Sequence, residues 1–362
     1  MNSSTDIVVV GAGAAGIAAA VSAARAGCRT VLIDRHAGPG GTGGLSGLTT
    51  LCGLFDDSGS YLNEGFAREF ADALTEVPPI RMGKVWVLPY RPETFRKVAS
   101  RLIAAEPNLE TRWDESLTEV RVQDDRIVSL NGIDTGAVID CSGYAEVALA
   151  AGTKCLATDE STQASAVVFE LGNVERLPGS PAEMASVLLP LARAGFPMLS
   201  FQPNLNANSL TAKFSGRPEE VPALVSFLRE NAAGFDQCET RSATLVATPR
   251  SGRMIVGRHL LSGAEVLAGQ KFSDAVARCA WPIEQWNTQG VARFRYLPSG
   301  LHYEIPARSL QASRLENLFM AGKTVSADVE AIASARVMGC CLATGAAAGL
   351  LAASHLQSRS TA

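Results

Sequence analysis

The stretch DIVVVGAGAAGIAAAVSAARAGCRTVLIDR, Asp6 to Arg35, decides the fold. Ile7–Val10 is an uninterrupted apolar run, the pattern of a parallel strand buried on both faces. Gly11, Gly13 and Gly16 then spell GxGxxG where the strand gives way to a helix. The first glycine allows the tight turn, the second lets a pyrophosphate reach the backbone, and the third lets the helix pack on the strand. At Ala14 and Ala15 the helix begins, offering unpaired N–H groups and a partial positive charge to phosphate oxygens. Val31–Ile33 form the next strand, and Asp34 closes it with a carboxylate suited to both hydroxyls of an adenosine ribose, followed by Arg35. The same carboxylate repels a 2′-phosphate. A bare GxGxxG is a weak signal; strand, glycines, alanine-rich helix, strand and acid in this order are specific.

Working outward, the 362 residues are enough for two domains, or one with a large insertion. A net charge of −4 gives no reason to expect nucleic acid or an anionic membrane as partner. The apolar runs near 7–24 and 337–353 are broken by Gly, Ser and Arg, so no membrane span is expected. MNSSTD lacks a basic n-region, so no signal peptide is expected. Eight cysteines without CxxC spacing argue for a reduced, cytoplasmic chain and against a dithiol redox centre. No His/Cys/Asp cluster has metal-ligand spacing, so no metal is predicted.

After Asp34, five of the eight residues from Gly40 to Gly47 are glycine. That density excludes a regular element and suits a loop whose backbone N–H groups wrap a bulky ligand, with Gly41, Thr42 and Gly43 as contacts. Amphipathic spacing predicts helices over Asn63–Thr75 and Pro92–Ala105. Strands are expected at Leu117–Val122, Ile127–Leu130 and Ala137–Asp140, the last ending at Gly143. From about residue 156, strand-like segments (Ala166–Leu171, Pro197–Gln202, Leu210–Phe214, Ala243–Thr248) alternate with helical ones (Ala182–Arg193, Glu219–Asn231). No second GxGxxG occurs between 156 and 310. From Asn317 the pattern returns to that of the start: a strand at Leu318–Met320, the Ala321-Gly322 turn, and a small-residue helix over Val337–Ser354. The fold class is therefore α/β: a discontinuous Rossmann-like domain (1–155 and 311–356) with an inserted α+β domain (156–310) and a flexible tail (357–362).

Several of these blocks together resemble one family. The fingerprint, the glycine loop, AVIDCSGYAEVALAAG (137–152), RSGRMIVGRHLLSGAEVLAGQKFSDAVARCAWPIE (250–284) and LHYEIPARSLQASRLENLFMAGKTVSA (301–327), with ADVEAIASARVMGCCLATGAAAGLLAA (327–353), look like the FAD-dependent oxidoreductases with a glutathione-reductase-type flavin domain. The match covers about half the chain; residues 155–240 add little. The resemblance implies FAD as cofactor, held by Gly11, Gly13, Gly16 and Asp34. It further implies that Gly322 lies near the ribityl chain and that the helix start around Arg336, Val337 and Met338 faces the flavin pyrimidine. Two departures stand out. Relatives often carry Pro where Gly339 stands, implying a looser first turn here, and a histidine where Trp286 stands.

Because the cofactor carries the chemistry, candidate side chains are those that would grip a substrate acid or move a proton. They are Tyr303, Glu304 and His302 as proton carriers and Arg308 as a carboxylate clamp, with Arg336 as a further clamp or flavin-tuning group. Each also has a plain structural reading. His36 reads as packing on the adenine side, and His259 and His355 as surface residues. Cys340 and Cys341 read as small buried packing.

The expected activity is hydride transfer between a small organic substrate, preferably at an amine or hydroxyl carbon, and flavin N5. Without a built-in NAD(P)H domain, oxygen, a quinone or a redox partner takes the electrons. The alternatives are alkene reduction, single-component flavin monooxygenation, and a non-catalytic FAD-binding protein.

Overall fold

The computed structural model describes residues 5–158, 163–175, 178–196, 199–243, 249–286 and 292–360. Thr5–Val10 (β1), Ala14–Arg25 (α1) and Thr30–Ile33 (β2) form the expected unit. The glycine stretch departs from expectation, because Gly41–Leu45 is a short helix (α2) rather than an irregular loop. Glycine costs helix stability, but a Cβ on Gly43 would stand 2.5 Å from the Phe95 ring and one on Gly44 2.7 Å from Arg96. The turn survives because the neighbouring helix and the residue leading into it grip it: Arg96 donates to the Gly44 carbonyl (2.6 Å) and the Tyr90 hydroxyl to that of Gly43 (2.8 Å).

The chain continues through Thr50–Cys52 (β3), Phe66–Leu74 (α3), Ile80–Met82 (β4), Val85–Pro89 (β5) and Pro92–Ala104 (α4). It returns to the main sheet at Leu109–Arg112 (β6), Val120–Gln123 (β7), Arg126–Leu130 (β8) and Ile133–Asp140 (β9). Glu146–Ala150 (α5) and Cys155–Ala157 (β10) lead to the insert. There, Val167–Gly172 (β11), Pro181–Arg193 (α6), Leu199–Pro203 (β12), Leu210–Phe214 (β13), Val221–Asn231 (α7) and Glu239–Ala243 (β14) build a sheet backed by two helices. Arg253–Ile255 (β15), Gly263–Ala268 (α8), Ala275–Cys279 (β16), Ile283–Trp286 (β17), Ala292–Arg295 (β18) and Tyr303–Pro306 (β19) come next. Leu318–Met320 (β20), Val329–Ala335 (α9) and Met338–Ser360 (α10) finish the chain. The expected strand at Ala243–Thr248 lies mostly outside the described residues.

β6, β2, β1, β9 and β20 pair in parallel in that order, and β8 and β7 extend the sheet antiparallel. Val8 pairs with Val31 on one side and Val138 on the other, so β1 is central and buried. The C-terminal return is real: β20 sits beside β9, with Met320 opposite Asp140. The four-stranded insert sheet, β12-β13-β11-β14, has its own core with α6 and α7, including Phe169, Phe201, Phe214, Leu224 and Phe235. Residues from Met254 to Leu310, expected in the insert, instead share the core of the first domain, among them Ala277, Cys279, Ile283, Tyr303 and Ile305. Separate packing is thus confined to about 167–238.

α10 continues to Ser360, so residues 357–360 are helical rather than a frayed tail. By length and composition Met338–Arg359 could cross a membrane, yet 67% of its apolar window is buried inside the fold. Its partner is α1. A Cβ on Gly345 would overlap the Ala15 carbonyl, and one on Gly349 the Ala19 carbonyl. The two backbones therefore touch, and apolar small residues are what that approach demands. The eight cysteines do not all stay free: Cys279 on β16 and Cys340 in the first turn of α10 form a disulfide, their Cα atoms 6.1 Å apart. Closing a loop of this length contributes about 4 kcal/mol in the chain-entropy account.

The helix contact yields a first prediction. Gly345→Leu overpacks α1 and costs about 1–3 kcal/mol in urea unfolding. Leu350→Ala on the exposed side of α10 changes stability by less than about 0.5 kcal/mol. Equal effects would remove α1 as the partner.

Candidate active site

The glycine fingerprint separates into positions the protein itself requires and one it does not. Gly11 has φ +99°, and a Cβ there would stand 2.5 Å from the Cys141 carbonyl oxygen. A Cβ on Gly16 would overlap the Gly11 carbonyl. Gly13 has ordinary extended backbone (φ −77°, ψ −174°), and its nearest neighbour, Gly41 Cα, is 3.9 Å from a built Cβ. Nothing among the described residues fills that position, so its openness fits close approach by a ligand. Gly13 is also the N-cap of α1, where no side chain caps the free N–H groups. Gly41, with φ +48°, brings α2 to this point, and Gly322, with φ +71°, brings the C-terminal segment to Ala15. The Gly322 N–H is held by the Thr344 hydroxyl at 3.2 Å. Three segments remote in sequence thus meet at the start of α1, a geometry that fits a dinucleotide pyrophosphate.

Asp34 sits at the end of β2 as expected. Its Oδ2 accepts from Ala12 N (2.5 Å) and its Oδ1 from His36 N and Nδ1 (2.9 and 2.7 Å). The acid is thereby pinned to the glycine turn. His36 and Ala37–Pro39 line a cavity of about 700 Å³ with Arg96 and Trp113, on the side where the adenosine is expected. Arg35 turns away to pair with Glu146. Gly143, with φ +78°, lies under the Lys323 side chain. At the start of α10, Met338 packs on Tyr90, while Val337 and Gly339 press on Gly53. A Cβ on Gly339 would overlap the Gly53 backbone, so this first turn is tight, not loose as the missing proline implied.

Between these glycine segments and the insert lies a narrow cleft, lined by Gln163, Arg250, Lys323 and Arg336, that sequence reading assembled only in part. In the insert sheet, Ser200, Lys213 and Val168 are aligned in one row, and Gln202, Thr211 and Glu170 in the next. Strand alternation turns this face away from the insert's own core. Thr49 joins it to the first domain, donating to the Pro203 carbonyl (2.7 Å) or to the Thr211 hydroxyl, 2.8 Å away. Glu284 accepts both indole N–H groups, from Trp281 at 2.9 Å and Trp286 at 2.5 Å. Arg250 and Lys213 lie over the Trp286 ring at 4.7 and 5.7 Å. Arg336 donates to Gln163 (3.0 Å), while its Nε is buried with no hydrogen-bond partner. Lys323 donates to the Ser251 carbonyl (3.3 Å) and stacks on Tyr144 (4.6 Å).

The electrostatics follow from burial and mutual repulsion. Burial, then Arg336, push the Lys323 ammonium down to about 8. Burial lowers Lys213 too, with Glu284 opposing and Arg250 adding repulsion. Burial alone would raise the Glu284 carboxyl, but Lys213, Arg336 and the two indoles hold it below its ordinary value.

The four expected catalytic residues do not converge. Alternation along β19 sends Tyr303 and Ile305 into the core and leaves His302 and Glu304 on the other side. The Tyr303 hydroxyl is fully buried against Ser334 (2.8 Å). Glu304 accepts from Phe272 N (2.9 Å) with Lys271 and His302 at 4.0 Å, and Arg308 pairs with Asp274 at the surface (3.0 Å). His259 and His355 are half-buried against Phe272 and Phe319 rather than at the surface. Of the expected clamps, Arg336 alone reaches the cleft. Cys341 packs as expected: burial raises its thiol to about 12, and it donates to the Arg336 carbonyl at 3.2 Å. Missed were Lys213, Glu284 and Lys323. A signal existed for Lys213, since period-two alternation in LTAKF places it opposite the apolar residues.

The distinction among the glycines is testable. Gly13→Val keeps a wild-type thermal midpoint without added cofactor but copurifies with less than a tenth of the wild-type FAD; Gly16→Val loses the fold itself. A Gly13→Val protein with full FAD would displace the pyrophosphate from this turn.

Solved structures share the fold at low identity. A geranylgeranyl bacteriochlorophyll reductase-like protein from Thermoplasma acidophilum is 13% identical over 98% of this chain and 79% of its own, with a TM-score of 0.55. The p-nitrophenol 4-monooxygenase PnpA from Pseudomonas putida is 13% identical over 100% and 82%, at 0.53. CabE, an aromatic hydroxylase of angucycline biosynthesis, is 14% identical over 98% of this chain and 63% of its own, at 0.56. No curated protein matches the sequence. The family described as FAD dependent oxidoreductase matches residues 6–195 and 197–362, and with its α/β fold, central parallel sheet and open Gly13 cradle, the chain belongs to that family and is an FAD-dependent oxidoreductase.

Proposed function

We propose that the enzyme oxidises an amine or hydroxyl carbon of a small substrate seated beneath the polar face of the insert sheet, in a flavin domain of glutathione-reductase type. Gly11, Gly13, Gly16, Gly41 and Gly322 hold the pyrophosphate and ribityl side of FAD, and Asp34 the adenosine ribose. Bound FAD supplies the hydride acceptor. The observation that carries this reading is Lys323, an amine near pKa 8 in the cleft immediately after Gly322. Loss of hydride from a carbinol or amine carbon requires a base for the O–H or N–H proton, and a group with a pKa near the working pH is suited to it. Lys323 Nζ takes that proton. Arg336 beside it keeps the amine from recharging too readily and disfavours a second cation. With no second nucleotide fingerprint in residues 156–310, the electrons come from the substrate and leave to oxygen, a quinone or a redox partner.

The hydroxylase and monooxygenase among the structures of similar fold favour oxygen insertion as the second reading. Anaerobic mixing separates the two. Hydride transfer predicts that an alcohol or amine bleaches the flavin without NAD(P)H. Bleaching only by NADPH together with an aromatic compound selects oxygen insertion.

The base assignment predicts a pH profile. Because Lys323 is active when neutral, the anaerobic reduction rate climbs with pH through about 8 and levels above it. Lys323→Met removes that limb and lowers the rate by about 10²–10⁴-fold. An unchanged limb in the variant assigns the proton to another group.

A further inference from the structure

The cleft contains buried cationic donors that the described residues do not satisfy. Lys213 makes no hydrogen bond or ion pair there; its contact is the face of Trp286. Arg336 spends one Nη on Gln163, and its Nε–H has no acceptor. Ser200, directly across from Lys213 on β12, has a buried hydroxyl without a partner, and so does the Oε1 of Gln202 two residues on. Charged donors removed from water are costly unless an acceptor meets them. Glu284 is the carboxylate that couples to both Lys213 and Arg336, but each of its oxygens already accepts an indole N–H. With Arg250 and Lys323 close by as well, the cations outnumber Glu284, and the surplus positive charge calls for an anion. A guanidinium edge matches the planar, two-oxygen shape of a carboxylate, and Lys213, within electrostatic reach of Arg336, adds a point charge.

We infer that the substrate is a small organic acid whose carboxylate is held by Lys213 Nζ and Arg336 Nε, with the Ser200 hydroxyl as a neutral third donor. The inference rests on the cleft being the substrate site and adds what that substrate must carry. The oxidisable hydroxyl or amine is then presented toward Lys323, which lines the same crevice as Arg336 and Gln163. The insert thereby contributes a specificity residue, Lys213, while the flavin domain contributes Arg336.

Calorimetric titration of the FAD-loaded protein with benzoate, benzamide and inorganic phosphate tests this. Benzoate is expected to saturate one site, with benzamide and phosphate at least about tenfold weaker. Lys213→Met is expected to weaken benzoate by about tenfold or more at a wild-type ratio of flavin to protein absorbance. Lys213→Arg restores most of it. Equal binding of benzoate and benzamide, tighter binding of phosphate, or an unaltered Lys213→Met protein overturns the inference. Arg336→Leu that sheds FAD overturns the role given to that arginine. Since binding needs no turnover, benzoate bound through Lys213 in a protein that no alcohol or amine bleaches retires the proposed oxidation alone.

Discussion

The backbone contact between α1 and α10 is the constraint on which the rest depends. The first helix starts at the glycine fingerprint and the last starts at the cleft, so their alignment fixes the positions of both at once. Gly345 and Gly349 allow the approach because anything larger would overlap the Ala15 and Ala19 carbonyls. The same contact explains a helix apolar enough to be mistaken for a membrane segment: its small residues face another helix rather than lipid. Gly322, Thr344 and Ala15 then meet as a by-product of that packing.

Much of this was legible because the relevant signals are local. The first strand, the helix and Asp34 lie within one βαβ unit, where spacing alone specifies contact. Leu318–Met320 was readable as a return strand for a similar reason, being a short apolar run ending in Ala321-Gly322. What escaped was long-range. No local pattern sets Lys213 within electrostatic reach of Glu284, or joins Cys279 to Cys340, because strand pairing and helix packing between distant segments bring them near. The short helix at Gly41–Leu45 escaped because tertiary support from Phe95 and Arg96 overrides glycine's poor propensity. Tyr303 and Glu304 both read as proton carriers, yet adjacency on a strand separates their side chains onto opposite faces.

The cleft is built from two sources. Its floor, with Lys323, Arg336 and Glu284, belongs to elements that share the first domain's core, and its roof, with Ser200, Gln202 and Lys213, to a sheet with an independent core. Trp286 mediates between them, lying under cations from both and anchoring the carboxylate that balances them. Trp286 thus offers an aromatic face on which two positive charges rest.

The disulfide draws a boundary that neither sequence nor core packing draws. From Cys279 to Cys340 the chain is a closed covalent ring, containing β17 to β20, α9 and the first turn of α10. The insert sheet and its helices lie wholly outside that ring. A roof of different chemistry could be transplanted between β10 and β15 without opening the ring, and the floor, with Glu284, Lys323 and Arg336, would keep its shape. The insert and the disulfide-closed segment are thus covalently independent stretches of the chain that meet only through packing.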